Sequence, residues 1–166
     1  MLSKEVFPKM KVIAGALALI ALAPVTPLLA QETDLTVYIG HHPAKQVDGM
    51  AFIDDPSVRS IVEKALDDQS LRDLVLKQTR DRAFATYIFE SQDKIYFKAY
   101  DPTHGSTDNW GISISPDGEN GAVCVAVGGS GDLSPPGNWY REGGVVAISE
   151  DGCPIDAAGL AFAFGG

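Results

Sequence analysis

The sequence predicts an α+β domain in which N-terminal helices pack on an antiparallel sheet of about five strands. Three observations predict it. Apolar residues recur at helical spacing between Pro56 and Val75. From Ala83 the period changes to the alternation expected of strands. Helical and extended segments do not alternate along the chain, which argues against the βαβ units of a parallel sheet. The 166 residues are 45% hydrophobic and 21% charged, a globular composition with room for one domain.

Residues 1–30 stand apart in composition. Lys4, Lys9 and Lys11 make a basic start, and Met10 offers an alternative initiation point. The 12 residues Val12 to Ala23 are apolar, and Pro24, Pro27 and Leu28-Leu29-Ala30 follow. This is the order of a secretory signal peptide cleaved near Ala30. The apolar run is short of the ~20 residues of a spanning helix, so the expected product is a periplasmic domain of residues 31–166 with no membrane anchor. Residues 31–166 keep 10 of the 13 basic and 21 of the 22 acidic residues. That balance argues against a nucleic-acid binder, which needs a basic face, and favours a cationic partner. In an oxidising compartment Cys124 and Cys153 are expected to pair. Closing the 28-residue loop between them stabilises by about 3–4 kcal/mol in the chain-entropy account.

Leu35 to Ile39 reads as a short strand, and a polar Gly- and Pro-containing stretch runs on to Asp55. Asp55-Pro56 starts a helix, with Asp as cap and Pro at the first helical position. Val58, Ile61, Val62 and Leu66 form its apolar face. Ser70 to Asp73 reads as a second cap, with Leu71, Leu74 and Val75 continuing a short helix. Ala83 to Phe89 is extended, and Ser91-Gln92-Asp93 is a turn. In the next strand Ile95, Phe97 and Ala99 share one face, and Tyr96, Lys98 and Tyr100 the other. Trp110, Ile112 and Ile114 alternate with Gly111, Ser113 and Ser115. Pro116 to Gly121 is a turn, and Ala122 to Val127 and Val145 to Ser149 are strands. Gly128 to Gly144 reads as a long loop. Ala157 to Phe164 is a last strand or a docking apolar tail.

The residues offer no catalytic constellation, so no enzyme activity and no cofactor are expected. There is no Gly-x-Ser-x-Gly elbow, no His-Glu-x-x-His pair and no phosphate-cradling loop with a Lys. His41 and His42 lack a third ligand at useful spacing, and loop spacing does not force Asp101, His104 and Asp108 onto one metal. The ten residues Asp101 to Trp110 are too many for a tight hairpin. They carry one imidazole, His104, between two strands of a rigid sheet, a natural place for a binding residue.

Around this loop the sequence resembles the inhibitors of vertebrate lysozyme known as the Ivy family. The resemblance is carried by Tyr96, Ala99, the run Tyr100-Asp101-Pro102-Thr103-His104-Gly105, Ile112 and Ile114, the Pro116–Gly121 turn and the Val123 strand. Family members usually read Ala-Cys-Lys-Pro-His-Asp-Cys in the loop. Here Tyr100 stands in place of the first Cys, Thr103 separates Pro from His, and nothing near Gly105 supplies the second Cys. The resemblance implies a secreted, non-catalytic domain whose partner is a lysozyme or a related cell-wall glycosidase. It implies that His104 enters the cleft and hydrogen-bonds the catalytic carboxylates. Pro102, Thr103 and Gly105 would shape the loop, and Asp101 or Asp108 would meet basic groups at the rim. A second reading places binding of a cell-wall glycan, small ligand or partner protein at a loop around Trp139 and Tyr140, whose aromatic rings can stack or anchor.

Overall fold

The computed structural model describes residues 33–104, 107–128 and 134–164. The expected signal peptide of residues 1–30 lies outside the described residues, as do Gly105 and part of the Gly128–Gly144 segment.

Leu35–Tyr38 is a 3-10 turn and not the expected strand. The Asp34 carboxylate accepts from the backbone N–H of Thr36 at 3.0 Å and from its hydroxyl at 2.6 Å. That local capture offers the backbone an alternative to a strand ladder, and it buries Leu35 and Tyr38. Next comes a two-stranded hairpin, β1 (Gln46–Val47) and β2 (Met50–Ala51). Its turn residues Asp48 and Gly49 have φ of 51° and 89°, as a two-residue mirror-image turn demands. Phe52–Asp54 forms a second 3-10 turn.

Helix α1 (Pro56–Ala65) begins as predicted, with the Asp55 side chain accepting from Ser57 N–H at 2.9 Å. Helix α2 (Gln69–Asp73) is capped by Asp68 and not by Ser70. The Asp68 carboxylate takes the Ser70 N–H at 2.6 Å. A π-helical stretch, Leu74–Gln78, and α3 (Thr79–Asp81) continue it without a break. Thr79 is buried and ties this run to the sheet. Its hydroxyl donates to the Val75 carbonyl at 2.6 Å and accepts from the Trp110 indole at 2.7 Å. Replacing Thr79 with Val keeps the shape and strands the indole N–H. We expect a loss of about 1–3 kcal/mol in denaturant unfolding, with Thr79→Ser close to wild type. An unchanged midpoint for Thr79→Val would show that the hydroxyl contributes nothing.

The main sheet has seven antiparallel strands, two more than expected. The Ala83–Phe89 region splits into β3 (Phe84–Ala85) and β4 (Phe89–Ser91), and both pair with β5 (Lys94–Tyr100). The order continues through β6 (Asn109–Ile114), β7 (Gly121–Ala126), β8 (Gly137–Arg141) and β9 (Gly144–Ser149). The unpredicted β8 lies in the segment read as loop. Its hairpin turn, Glu142-Gly143, has φ of 49° and 75°. The Gln92-Asp93 turn expected between β4 and β5 has the same signature, at 50° and 57°.

One sheet face packs on the helices. Ile95, Phe97, Ala99, Trp110, Ile112, Ile114, Val123 and Val125 meet Val58, Ile61, Val62 and Val75 in one core. The other face is covered by the C-terminal segment. Helix α4 (Ala157–Phe164) replaces the alternative of a last strand, and it docks through the buried Leu160. Cys124 and Cys153 form a disulfide, with Cα atoms 5.7 Å apart. The Tyr96 phenol donates to the Pro154 carbonyl at 2.5 Å. Burial pushes that phenol's pKa up, so it stays neutral and a donor. Gly111 makes room for Tyr96, since a Cβ there would lie 2.6 Å from the phenol oxygen. Among the described residues no helix is long and apolar enough to cross a membrane.

Candidate functional site

The β5–β6 pairing ends at Tyr100 opposite Asn109. One further backbone bond, Asp101 N–H to the Asp108 carbonyl at 3.0 Å, closes the neck of the loop. Beyond the neck Pro102–His104 forms a 3-10 turn. Asp101 organises it. One carboxylate oxygen accepts from the Thr103 N–H at 2.8 Å and the Thr103 hydroxyl at 2.6 Å. The other lies 3.1 Å from His104 Nδ1. The Thr103 hydroxyl, and then its backbone N–H, hold the Asp101 pKa below the usual aspartate value, with His104 adding to the effect.

These contacts orient the imidazole. An ionised Asp101 is acceptor-only, so Nδ1 carries the proton in that contact. The Thr103 hydroxyl, 3.2 Å from Nδ1, spends its own proton on Asp101 and accepts as well. Asp108 has a carboxylate oxygen 3.9 Å from Nδ1, near enough for an ionic contact and too far for a hydrogen bond. Nε2 has no partner among the described residues. The His104 side chain is 63% exposed, against 15% for Asp101 and 23% for Asp108. The carboxylates therefore form the base of the site and the imidazole its presented tip.

Three further bonds tie the loop down. The Thr107 hydroxyl donates to the His104 carbonyl at 2.6 Å. Asp108 accepts from Gly128 N–H, at the end of β7, at 2.9 Å. The buried Asn109 accepts from Cys153 N–H at 2.8 Å, which links the loop's root to the disulfide. Tyr100 stacks on Phe84, ring centres 5.7 Å apart. The structure thus brings Asp101, Pro102, Thr103, His104 and Asp108 together, while Gly105 lies outside the described residues. The anchoring roles of Thr107 and Asn109 are not legible in the sequence, because a Thr and an Asn in a polar loop carry no periodic or spacing signal.

The Asp101 shift has a testable sign. A carboxylate with a lowered folded-state pKa stabilises fully above the ordinary aspartate value of about 3.9 and loses that contribution as pH falls through the lowered value. An NMR titration of the Thr103 amide should have its acid midpoint below the ordinary value. A midpoint at or above it would show that the hydrogen bonds do not hold the carboxylate ionised.

The other sequence candidates lie elsewhere. His42 Nδ1 accepts from Ala44 N–H at 3.2 Å, and His41 Nδ1 lies 3.4 Å from Lys45 Nζ. Among the described residues no group of three or more His, Cys, Asp or Glu is placed to hold a metal ion. Trp139 and Tyr140 are not on a loop but in β8. Trp139 is fully buried beside Tyr96, and its indole donates to the Ser149 hydroxyl at 3.0 Å. A ring with no exposed face cannot stack on a sugar. The strand alternation that turns Trp139 into the second core removes that expected anchor.

Comparison with protein families, curated proteins and solved structures finds no match to this chain. Its chemistry has to be read from its own residues.

Proposed function

We propose that this chain is a secreted, periplasmic, non-catalytic inhibitor that binds a lysozyme or related cell-wall glycosidase and occludes its cleft with the loop at His104. The observation that carries the reading is the anchored imidazole. His104 is fastened at Nδ1 by Asp101 and leaves Nε2 without a partner among the described residues, on a loop tied to Gly128, two residues past β7, and to the disulfide segment. The likeness of this loop to the Ivy family supplies the target class. The bonds of Asp101, Thr107 and Asp108 supply the stiffness that family loops obtain from their two cysteines. Residues fastened before docking lose less entropy on binding.

The chemistry suits a carboxylate pair. A lysozyme cleft holds one carboxyl group kept protonated and one ionised. With Nδ1 fixed as donor, neutral His104 accepts at Nε2 from the protonated acid. Protonated His104 donates from Nε2 to the ionised partner. Either state blocks a catalytic group. The 21 acidic against 10 basic residues in 31–166 would speed encounter with a cationic enzyme and make association weaken with salt.

The direct test is clearing of a bacterial cell-wall suspension by a basic vertebrate-type lysozyme with and without the purified protein. The proposal expects a slower rate that saturates with protein concentration. An unchanged rate at large protein excess would remove this target.

A further inference from the structure

A second feature lies on the helices and is independent of the loop. Arg59 of α1 and Arg72, Lys77 and Arg80 of the α2–α3 run line one cleft of about 440 Å³, together with Glu63 and Asp73. These are four of the ten basic residues in 31–166, gathered in one place on an otherwise acidic chain. The volume is in the range of small-ligand sites.

Two of the four cations are already neutralised. Lys77 pairs with Asp73 at 2.7 Å, and Arg80 pairs with Asp54. Among the described residues Arg59 and Arg72 make no ion pair. Arg72 is also poorly used. One terminal nitrogen donates to the Asp67 carbonyl at a long 3.3 Å, and Nε is sealed from solvent with no acceptor. A buried donor without a partner is unfavourable. Turning the guanidinium onto an anion in the cleft would free Nε and gain charge-assisted, bidentate bonds. The wall that carries Arg72 also contains the π-helical stretch Leu74–Gln78, a distortion frequent at functional sites.

We infer that this cleft binds a small multivalent oxyanion, with Arg72 and Arg59 as its principal ligands and with Lys77 and Arg80 beside them, each already paired with a carboxylate. Phosphate and carboxylate groups share the chemistry that a guanidinium fork recognises, so the test carries one arm for each. The purified protein is titrated calorimetrically at low ionic strength with pyrophosphate and, separately, with citrate.

Saturable one-to-one binding is expected in at least one arm, and the arm that binds identifies the group. Arg72→Gln should weaken it about tenfold or more, and Arg59→Gln should act in the same direction. Arg72→Lys, which keeps the charge but not the fork, should fall between wild type and Arg72→Gln. Lys94→Gln removes one charge outside the cleft and should bind as wild type. Absence of saturable heat with both anions overturns the inference. So does equal weakening by Lys94→Gln and Arg72→Gln, which would mean attraction to charge in general. If Arg72→Gln fails to fold, the exposed Arg59→Gln carries the same comparison.

Discussion

Replacing His104 with Ala is expected to weaken binding to the lysozyme at least about thirtyfold, the loss of roughly 2 kcal/mol that marks an interface hot spot. The same change should shift the melting temperature by no more than about two degrees. The two halves follow from one geometry. The imidazole is 63% exposed and its polar partners among the described residues are Asp101, Thr103 and Asp108 of its own loop, so the folded chain depends on it little. In the complex its Nε2 would be bonded to one of the catalytic carboxyl groups, and truncation leaves that group without its partner. Calorimetric titration together with thermal melts of both proteins checks the pair of statements. Unchanged affinity would remove His104 from the interface. A fall of many degrees in melting temperature would make it a structural residue.

Removing the Cys124–Cys153 bridge, as the double Ala variant, is expected to be the most damaging change to stability. The chain-entropy account gives about 3–4 kcal/mol for a loop of this length. The bridge joins the middle of β7 to the segment that covers the second sheet face. Without it the Pro154 carbonyl and Leu160 are free to leave Tyr96 and Trp139. The Cys153 N–H is then free to leave Asn109, at the root of the His104 loop. Trp139 should become wetter and its emission move to the red, while Trp110, in the other core, should change little. Binding at His104 should weaken along with stability, because the loop loses one of its anchors. Denaturant unfolding with and without reductant measures the first effect. An identical midpoint would show that the C-terminal layer holds by packing alone.

Legibility differed from element to element for physical reasons. Helix α1 was readable because Asp55-Pro56 is a start signal and four apolar residues follow at helical spacing. Strands β5 and β6 are readable because each alternates, and β7 because Ala122 to Val127 is a continuous apolar run after a turn. What that alternation could not tell was that both sheet faces are covered. Gly111 proves to be the residue that admits Tyr96, and Ala122 and Ala126 lie in the second buried cluster with Tyr96, Trp139 and Leu160.

Short elements were the main loss. The Asp48-Gly49 hairpin was read only as a polar stretch, although Asp-Gly is a strong two-residue turn signal. At Leu35–Tyr38 the local apolar pattern suggested a strand, and one capping carboxylate decided against it. β8 was hidden because Gly137 and Asn138 follow Pro135-Pro136 in a segment of loop-like composition. At the candidate site the sequence showed which imidazole lies between two strands. It did not show that Asp101 fastens Nδ1, since an Asp three residues before a His is as common on ordinary surface turns.

If the loop at His104 fills the substrate cleft of a lysozyme, the protein and the substrate compete for that cleft. Affinity of the protein for a basic vertebrate-type lysozyme should be measured with and without a saturating chitin oligosaccharide in the enzyme's substrate cleft. Occlusion by His104 requires the two to exclude each other, so the apparent affinity should fall in proportion to oligosaccharide occupancy. Simultaneous binding, with affinity unchanged by the sugar, would contradict it.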